Sequence, residues 1–250
     1  MSTFSNEEAA FFVANGFVIK RNFVPSQLVE QANALIDNWY STQMDAKDVA
    51  AYTQRSFAPD LGSSPELLAL FHDSGIADAA RSFVGEIAPV TTTQIQIRIP
   101  ESDLSVAQPE KAMHVDGVSC PHLDPTELRT FSMIAGVVLS DVSDPRGGAL
   151  RFVRGGHHTM ADWFRTQWKL GMTDQVPPCI DLAEGEPFIA QPGDVLFMHH
   201  LVPHAVGLNH TQIPRKMAYF RISHKEHENR RLQALRDPWL DFPALTAAPR

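Results

Sequence analysis

Cysteine is nearly absent: Cys120 and Cys179 are the only two in 250 residues. Two such thiols cannot build a disulfide framework, and their spacing does not suit a sulfur-ligated zinc shell; a reducing compartment fits. A surplus of positive charge is also missing. The formal net charge is −8, a whole-chain field that opposes nucleic acid and anionic membrane. The basic residues between Arg221 and Arg236 are interspersed with acids and histidines and read as a solvated helical face. No apolar run approaches a membrane span. The N-terminus (Ser5, Asn6, Glu7, Glu8) is polar and acidic, without the basic start of a secretory leader. Internal repeats and low-complexity tracts are lacking as well. The expectation is a soluble cytoplasmic protein, monomer or homodimer, that acts on a small molecule and has no nucleic-acid or membrane partner.

What is present begins with a hydrophobic fraction of 44%, enough for a sizeable core. Ser5-x-x-Glu8 is a capping box that opens a short helix ending near Asn15-Gly16. Gly16–Lys20 reads as a strand. Pro25-Ser26 starts a helix to about Tyr40, with Leu28, Ala32, Leu35 and Trp39 on one face. Residues 46–61 show no firm period and read as loop. Helices follow from Ser64-Pro65 and over Gly75–Val84, the second ended by Gly85. The texture changes at Pro89. Val90–Pro100 alternates, with Gln94, Gln96 and Arg98 on one face and Ile95, Ile97 and Ile99 on the other. Phe131–Ser140 is a buried strand by composition, Ala149–Val153 a short one, and Thr159–Leu170 a helix. Gly171–Pro187 reads as a longer loop. Phe188-Ile189 is expected to pair with Val195–Met198 in a hairpin across Gln191-Pro192-Gly193-Asp194. Met217–Ile222 is the last strand, and Glu226–Arg236 a helix. Short strands bounded by Gly and Pro turns favour a double-sheet β architecture with helices packed around it; helices do not alternate with strands after residue 90, which excludes a βαβ arrangement.

The chemistry starts at His114-Val115-Asp116-Gly117. Side chains two apart on a strand share a face, so this imidazole and carboxylate can converge on one ion. Two ligands do not make a site. A third is available in Phe197–His204, which holds His199, His200 and His204. One of these histidines with His114 and Asp116 makes a face of two imidazoles and a carboxylate, leaving three positions of an octahedron open, as an oxygen-activating iron requires. A closed structural zinc shell would look different. Arg215 opens the last strand. If that strand lies beside the metal strand, its guanidinium fork is placed to take a carboxylate bidentately.

These residues resemble the phytanoyl-CoA dioxygenase-like (PhyH) family of Fe(II)/2-oxoglutarate-dependent oxygenases. The resemblance is carried by His114-Val-Asp116-Gly117, by Gly148-Ala-Leu150 running to Gly155-Gly156-His157, and by Pro192-Gly-Asp194 running on to His204. Asn209, Arg215 and the N-terminal Gly16–Phe23 stretch complete it, so it spans nearly the whole chain. It implies a mainly β fold with flanking helices and a double-stranded β-helix (jelly roll, cupin-like) core. One oxygenase domain would cover 1–250: a mostly helical part over 1–88, the jelly roll over 89–225, and a C-terminal helix and tail over 226–250.

The resemblance further implies that His114, Asp116 and His204 ligate Fe(II), that Arg215 holds the distal carboxylate of 2-oxoglutarate, and that O2 is the oxidant. His199 and His200 then lie around the site rather than on the metal, and His157 is a structural hydrogen-bonder. Gln96 would border the cosubstrate, with Gln94 and Arg98 facing cosubstrate or substrate. Arg98, Trp163 and His200 are candidate substrate contacts. One departure stands out. The family usually carries a hydroxyl residue two positions after the distal histidine, where this chain has Val206, and Thr211 is a candidate replacement donor. Asp116 favours hydroxylation or another oxidation over halide transfer, which in relatives needs a small residue there. Arg146, Arg151 and Arg154 could make only a small basic groove, so a small metabolite, with a carboxylate or amino-acid-like character, is expected over a CoA thioester. Two rival functions remain: a non-catalytic jelly-roll protein that binds metal or ligand, and a cupin-like metalloenzyme without 2-oxoglutarate. Arg215 separates them, because only the oxygenase needs a carboxylate clamp.

Overall fold

The computed structural model describes residues 4–45, 48–52, 56–118, 124, 126–171 and 185–246. Cys120, Cys179 and most of the 171–187 loop lie outside the described residues. The capping box forms as expected: the Glu8 amide donates to Ser5 Oγ at 3.1 Å and the Ser5 amide to Glu8 Oε2 at 2.8 Å. It starts helix α1 (Asn6–Asn15), which ends on Gly16 in a left-handed conformation. Strand β1 (Phe17–Lys20) and helix α2 (Ser26–Gln43) follow. A short α3 (Val49–Tyr52) and a 3-10 turn (Pro59–Ser63) occupy part of the stretch expected as loop. Helices α4 (Pro65–His72) and α5 (Ile76–Val84) complete the helical layer.

Strands β2 (Gln94–Arg98), β3 (Met133–Val138), β4 (Leu150–Phe152), β5 (Glu186–Pro187), β6 (Val195–His199), β7 (His204–Val206) and β8 (Arg215–Ile222) supply the β core. They form two antiparallel sheets, a large one ordered β1-β6-β3-β8-β2 and a small one ordered β5-β4-β7. Alternation decides which way each residue faces. Ile134, Val138, Leu196, Met198 and Met217 of the large sheet meet Leu150, Phe152 and Val206 of the small sheet. Ala135, Val137, Phe197 and Phe220 face the other way and pack against Phe12, Leu67, Phe71 and Phe83 of the helices. Helix α6 (Gly156–Thr166) and helix α7 (His227–Arg236) enclose a third cluster, Met160, Trp163, Phe164 and Leu235, that also takes in Val115. A short α8 (Pro243–Thr246) ends the described chain. No helix among the described residues is long and apolar enough to cross a membrane.

One expected pairing is corrected. The Gln191–Asp194 turn is present, closed by the Asp194 amide on the Gln191 carbonyl at 3.0 Å, but it does not close a hairpin. The Phe188 amide instead bonds the Leu150 carbonyl, and Ala190 bridges Val142. Strand β6 inserts between β1 and β3, so the turn carries the chain from one sheet to the other. Every residue of β6 is buried. A run buried on both faces needs a central position, which pairing with a short Phe188-Ile189 edge could not supply.

Three imidazoles are sealed inside this frame. His157 and His199 are fully buried and His200 is 3% exposed. Burial first, and neighbouring histidines second, push His157 down to about 4 and His200 to about 3, and hold His199 well below the ordinary value. The native state therefore keeps them neutral while the unfolded chain takes up protons below about pH 6.5. Their stabilisation is complete above that pH and is lost as pH falls toward the native values, at about 1.4 kcal/mol per pH unit for each imidazole. Urea unfolding of the metal-free protein should lose several kcal/mol of stability between pH 6.5 and 4. His157→Gln should flatten that slope by about one imidazole's share, and an unchanged slope would contradict the assignment.

Candidate active site

His114 enters the small sheet by a single bridge to His204, with reciprocal amide-to-carbonyl bonds of 3.0 Å. Val115 turns into the apolar cluster under α6, which leaves His114 and Asp116 on the other face. Gly117 ends the stretch at φ +74°, and a Cβ there would sit 2.3 Å from the Arg129 carbonyl oxygen. Only glycine allows that close approach, and the Arg129 amide seals it with a 3.0 Å bond to the Gly117 carbonyl.

The imidazoles are oriented by backbone. His114 Nδ1 lies 3.1 Å from the Ala112 carbonyl and His204 Nδ1 lies 3.0 Å from the Val202 carbonyl. A carbonyl accepts only, so each Nδ1 carries the proton and each Nε2 keeps a free lone pair. Both Nε2 atoms face Asp116 Oδ1, at 3.6 Å from His114 and 3.9 Å from His204. The donor atoms of the three residues all lie within 4.8 Å of one another. Two neutral imidazoles and one carboxylate in that spacing fit a divalent first-row metal bound on one face. Burial raises the Asp116 carboxyl, but the neighbouring His114, His204 and Arg221 outweigh it and hold it well below the usual carboxylate range. His114 is raised above its ordinary value: burial works against this, and the Asp116 carboxylate beside it prevails. Of the three histidines that the sequence offered, His204 alone meets this pair. His199 is occupied elsewhere, its Nε2 at 2.6 Å from the Pro238 carbonyl and its Nδ1 accepting from the Leu201 amide at 3.0 Å.

A second group lies across the sheets. Strand β8 does not run beside β7; it belongs to the large sheet and faces it. Its register sets Arg215 opposite Arg98 on β2, Met217 opposite Gln96, and Tyr219 opposite Gln94. Arg98 is 4% exposed and Arg215 is 1% exposed. Arg98 Nη2 reaches the carbonyl of Val206, two residues beyond His204, at 3.4 Å. Burial, then the Arg215 charge, push Arg98 down to about 10. Gly148 gives this side chain its room, since a Cβ at Gly148 would lie 2.9 Å from Arg98 Cβ. Arg215 Nη2 donates to Tyr219 Oη at 2.7 Å and contacts Met217 Sδ at 2.8 Å, while its Nε and Nη1 are buried with no partner among the described residues. Among the described residues no carboxylate pairs with either guanidinium. Like charges opposite one another on neighbouring strands are unfavourable, and buried cations need a counter-charge. Such a pair can take an anion, and idle N–H groups in a planar fork suit a carboxylate.

Two expectations change here. Thr211 does not complement Arg215: its hydroxyl donates to Asn209 Oδ1 at 2.7 Å, and Asn209 Nδ2 in turn donates to the Arg98 carbonyl at 2.9 Å. Tyr219 is the hydroxyl that meets Arg215. Trp163, expected as a substrate wall, is 4% exposed inside the cluster that supports Val115. Gln94 and Gln96 sit half-buried on the same face as Arg98. His200 is buried 5.9 Å from the Phe131 ring, both ring nitrogens without a partner among the described residues. His157 is a structural hydrogen-bonder, its Nε2 at 3.1 Å from the Val13 carbonyl. Sequence reading missed Tyr219 and Arg221, although the period of two from Arg215 along β8 passes through both.

A family model described as Phytanoyl-CoA dioxygenase (PhyH) matches residues 12–217. No curated protein sequence matches the chain. Among solved structures, the chain is similar to EctD from S. alaskensis with 2-oxoglutarate and 5-hydroxyectoine, at 20% identity and a TM-score of 0.63, over 89% of this chain and 77% of that one. It is similar to SnoK, a non-haem alpha ketoglutarate dependent carbocyclase from nogalamycin biosynthesis, at 18% identity and 0.60, over 92% and 91%. HygX from Streptomyces hygroscopicus, with nickel and 2-oxoglutarate bound, gives 17% and 0.59, over 89% and 88%. At these identities the likeness is one of fold, the double-stranded β-helix.

Proposed function

The chain belongs to the phytanoyl-CoA dioxygenase family of Fe(II)/2-oxoglutarate-dependent oxygenases, and on that premise we propose that it hydroxylates a small-molecule metabolite while 2-oxoglutarate is converted to succinate and CO2. His114, Asp116 and His204 would hold Fe(II), and Arg215 with Arg98 would take the distal carboxylate of 2-oxoglutarate. The observation that carries this reading is the buried arginine pair without a carboxylate partner, reaching the strand that bears His204. A protein that only bound metal, or a metalloenzyme without the cosubstrate, would bear the cost of two buried cations for no return.

Iron bound there would supply the O2-activating redox chemistry that no side chain provides. The chain's own residues do the rest. Backbone carbonyls fix the imidazole tautomers, so the Nε2 atoms are ligands before the ion arrives. Arg215 and Arg98 draw in the cosubstrate carboxylate and fix its orientation. The apolar walls Met217, Val206 and Met198 keep water from that carboxylate. Gln94 and Gln96 offer hydrogen-bonding groups on the face that carries Arg98. The small-metabolite assignment draws on Arg146, paired with Asp144 at 2.6 Å, and Arg154, paired with Glu186 at 2.6 Å. Two of the three arginines that could make a small basic groove are thus already in ion pairs.

Anaerobic titration with Fe(II) and 2-oxoglutarate tests the reading. A weak visible absorption band from the chelated cosubstrate is expected, saturating with 2-oxoglutarate and absent with Fe(II) alone. A protein that binds Fe(II) but shows no such band overturns it.

A further inference from the structure

We propose that Arg221 is a positioning residue that keeps Asp116 a one-oxygen metal ligand; the inference rests on the metal site proposed above. The two oxygens of Asp116 have different surroundings. Oδ1 faces both imidazole Nε2 atoms, at 3.6 and 3.9 Å. Oδ2 is turned away and accepts from Arg221 Nη2 at 3.1 Å. A free carboxylate can close on a divalent ion with either one oxygen or two. The second oxygen would take one of the three positions that a face of two histidines and a carboxylate leaves open. Two of those are needed by a chelating 2-oxoacid and one by O2.

Arg221 is fixed at both ends for this task. It follows Arg215, Met217 and Tyr219 on the inward face of β8, with its Cα opposite Ile134 of β3. Its guanidinium carbon lies 5.5 Å from the centroid of the Phe131 ring, and Phe131 is buried. A planar cation resting on a buried ring, with one N–H aimed at Oδ2, has little freedom to release it. Folding does not account for the pair. The Arg221 side chain is 43% exposed, and ion pairs that open to water add little stability. What the contact does fix is the rotation of the Asp116 carboxylate.

The test uses the metal-loaded protein with Co(II), whose visible absorption responds to its ligand set. Arg221→Met keeps the stem over Phe131 and removes the donor. The variant should bind Co(II) at least as tightly as wild type, because a positive neighbour is gone and a second oxygen is free to bind. Its visible band should shift as the second carboxylate oxygen replaces a bound water, and its affinity for 2-oxoglutarate should fall about tenfold. Arg221→Lys, which keeps a charged donor, should recover 2-oxoglutarate affinity to within about threefold of wild type. A merely structural arginine would give a different pattern, with metal and cosubstrate affinities falling together alongside the melting temperature. That pattern overturns the proposal, as does a methionine variant with wild-type Co(II) absorption and 2-oxoglutarate affinity. Wild-type protein that fails to bind Co(II) refutes the metal site itself.

Discussion

Asp116→Ala is expected to lower divalent-metal affinity on the order of a hundredfold or more and 2-oxoglutarate turnover by roughly a thousandfold. Asp116 is the one anionic donor of the cluster. Without it, two neutral imidazoles remain, and the Arg221 guanidinium, deprived of its partner, adds a positive field beside the vacated position. Both changes act against a cation. The fold should hardly notice. The His114–His204 backbone bridge does not involve the carboxylate, Val115 stays anchored under α6, and the Gly117–Arg129 contact is main chain. The metal-free melting temperature should therefore stay within a few degrees of wild type, with about 1 kcal/mol attached to the part-exposed ion pair. Calorimetric titration with Mn(II), together with succinate formation, reads the first two effects. Metal affinity retained within tenfold would mean that the three residues do not share an ion.

Much of this site is legible along the chain because its determinants are local. The i, i+2 placement of His114 and Asp116 needs only an extended backbone. The alternation of Gln94, Gln96 and Arg98 against three isoleucines fixes their common face before any partner strand is known. What stayed hidden depends on contacts distant in sequence. The Gln191–Asp194 turn has the same residues whether it closes a hairpin or passes the chain between sheets; the outcome is decided by burial of β6 on both faces. Thr211 looked available to Arg215 by proximity in sequence, whereas the register of β8 puts Tyr219 there. Alternation left Arg98 facing either cosubstrate or substrate. Its pairing with Arg215 joins strands far apart in the chain, and only that register shows two cations sharing one pocket.

That shared pocket leads to the second large effect, in which stability and binding move in opposite directions. Arg215→Met should raise the Kd for 2-oxoglutarate about a hundredfold, which corresponds to about 2.8 kcal/mol and lies within the range for deleting one partner of a desolvated charge pair. The metal-free, ligand-free variant should nevertheless be more stable than wild type, by about 1–3 kcal/mol. Methionine fills similar volume without a charge, so the Nε and Nη1 groups that lack partners disappear. Arg98 loses the like-charged neighbour that helps depress it to about 10. Tyr219 is not orphaned, because its hydroxyl also lies 3.1 Å from Met217 Sδ. Wild type should recover the difference on binding: at a hundred times Kd, 2-oxoglutarate adds about 2.7 kcal/mol to its stability. The same concentration should barely shift the variant. Thermal melting with and without 2-oxoglutarate reads all of this in one series. If Arg215→Met melts earlier than wild type without ligand, the guanidinium is a satisfied part of the core and the argument for a vacant carboxylate clamp fails. If it melts later and still binds 2-oxoglutarate as wild type does, the pocket's anion is some other molecule. Only the pairing of higher ligand-free stability with lost cosubstrate binding fits a pocket strained to receive a carboxylate.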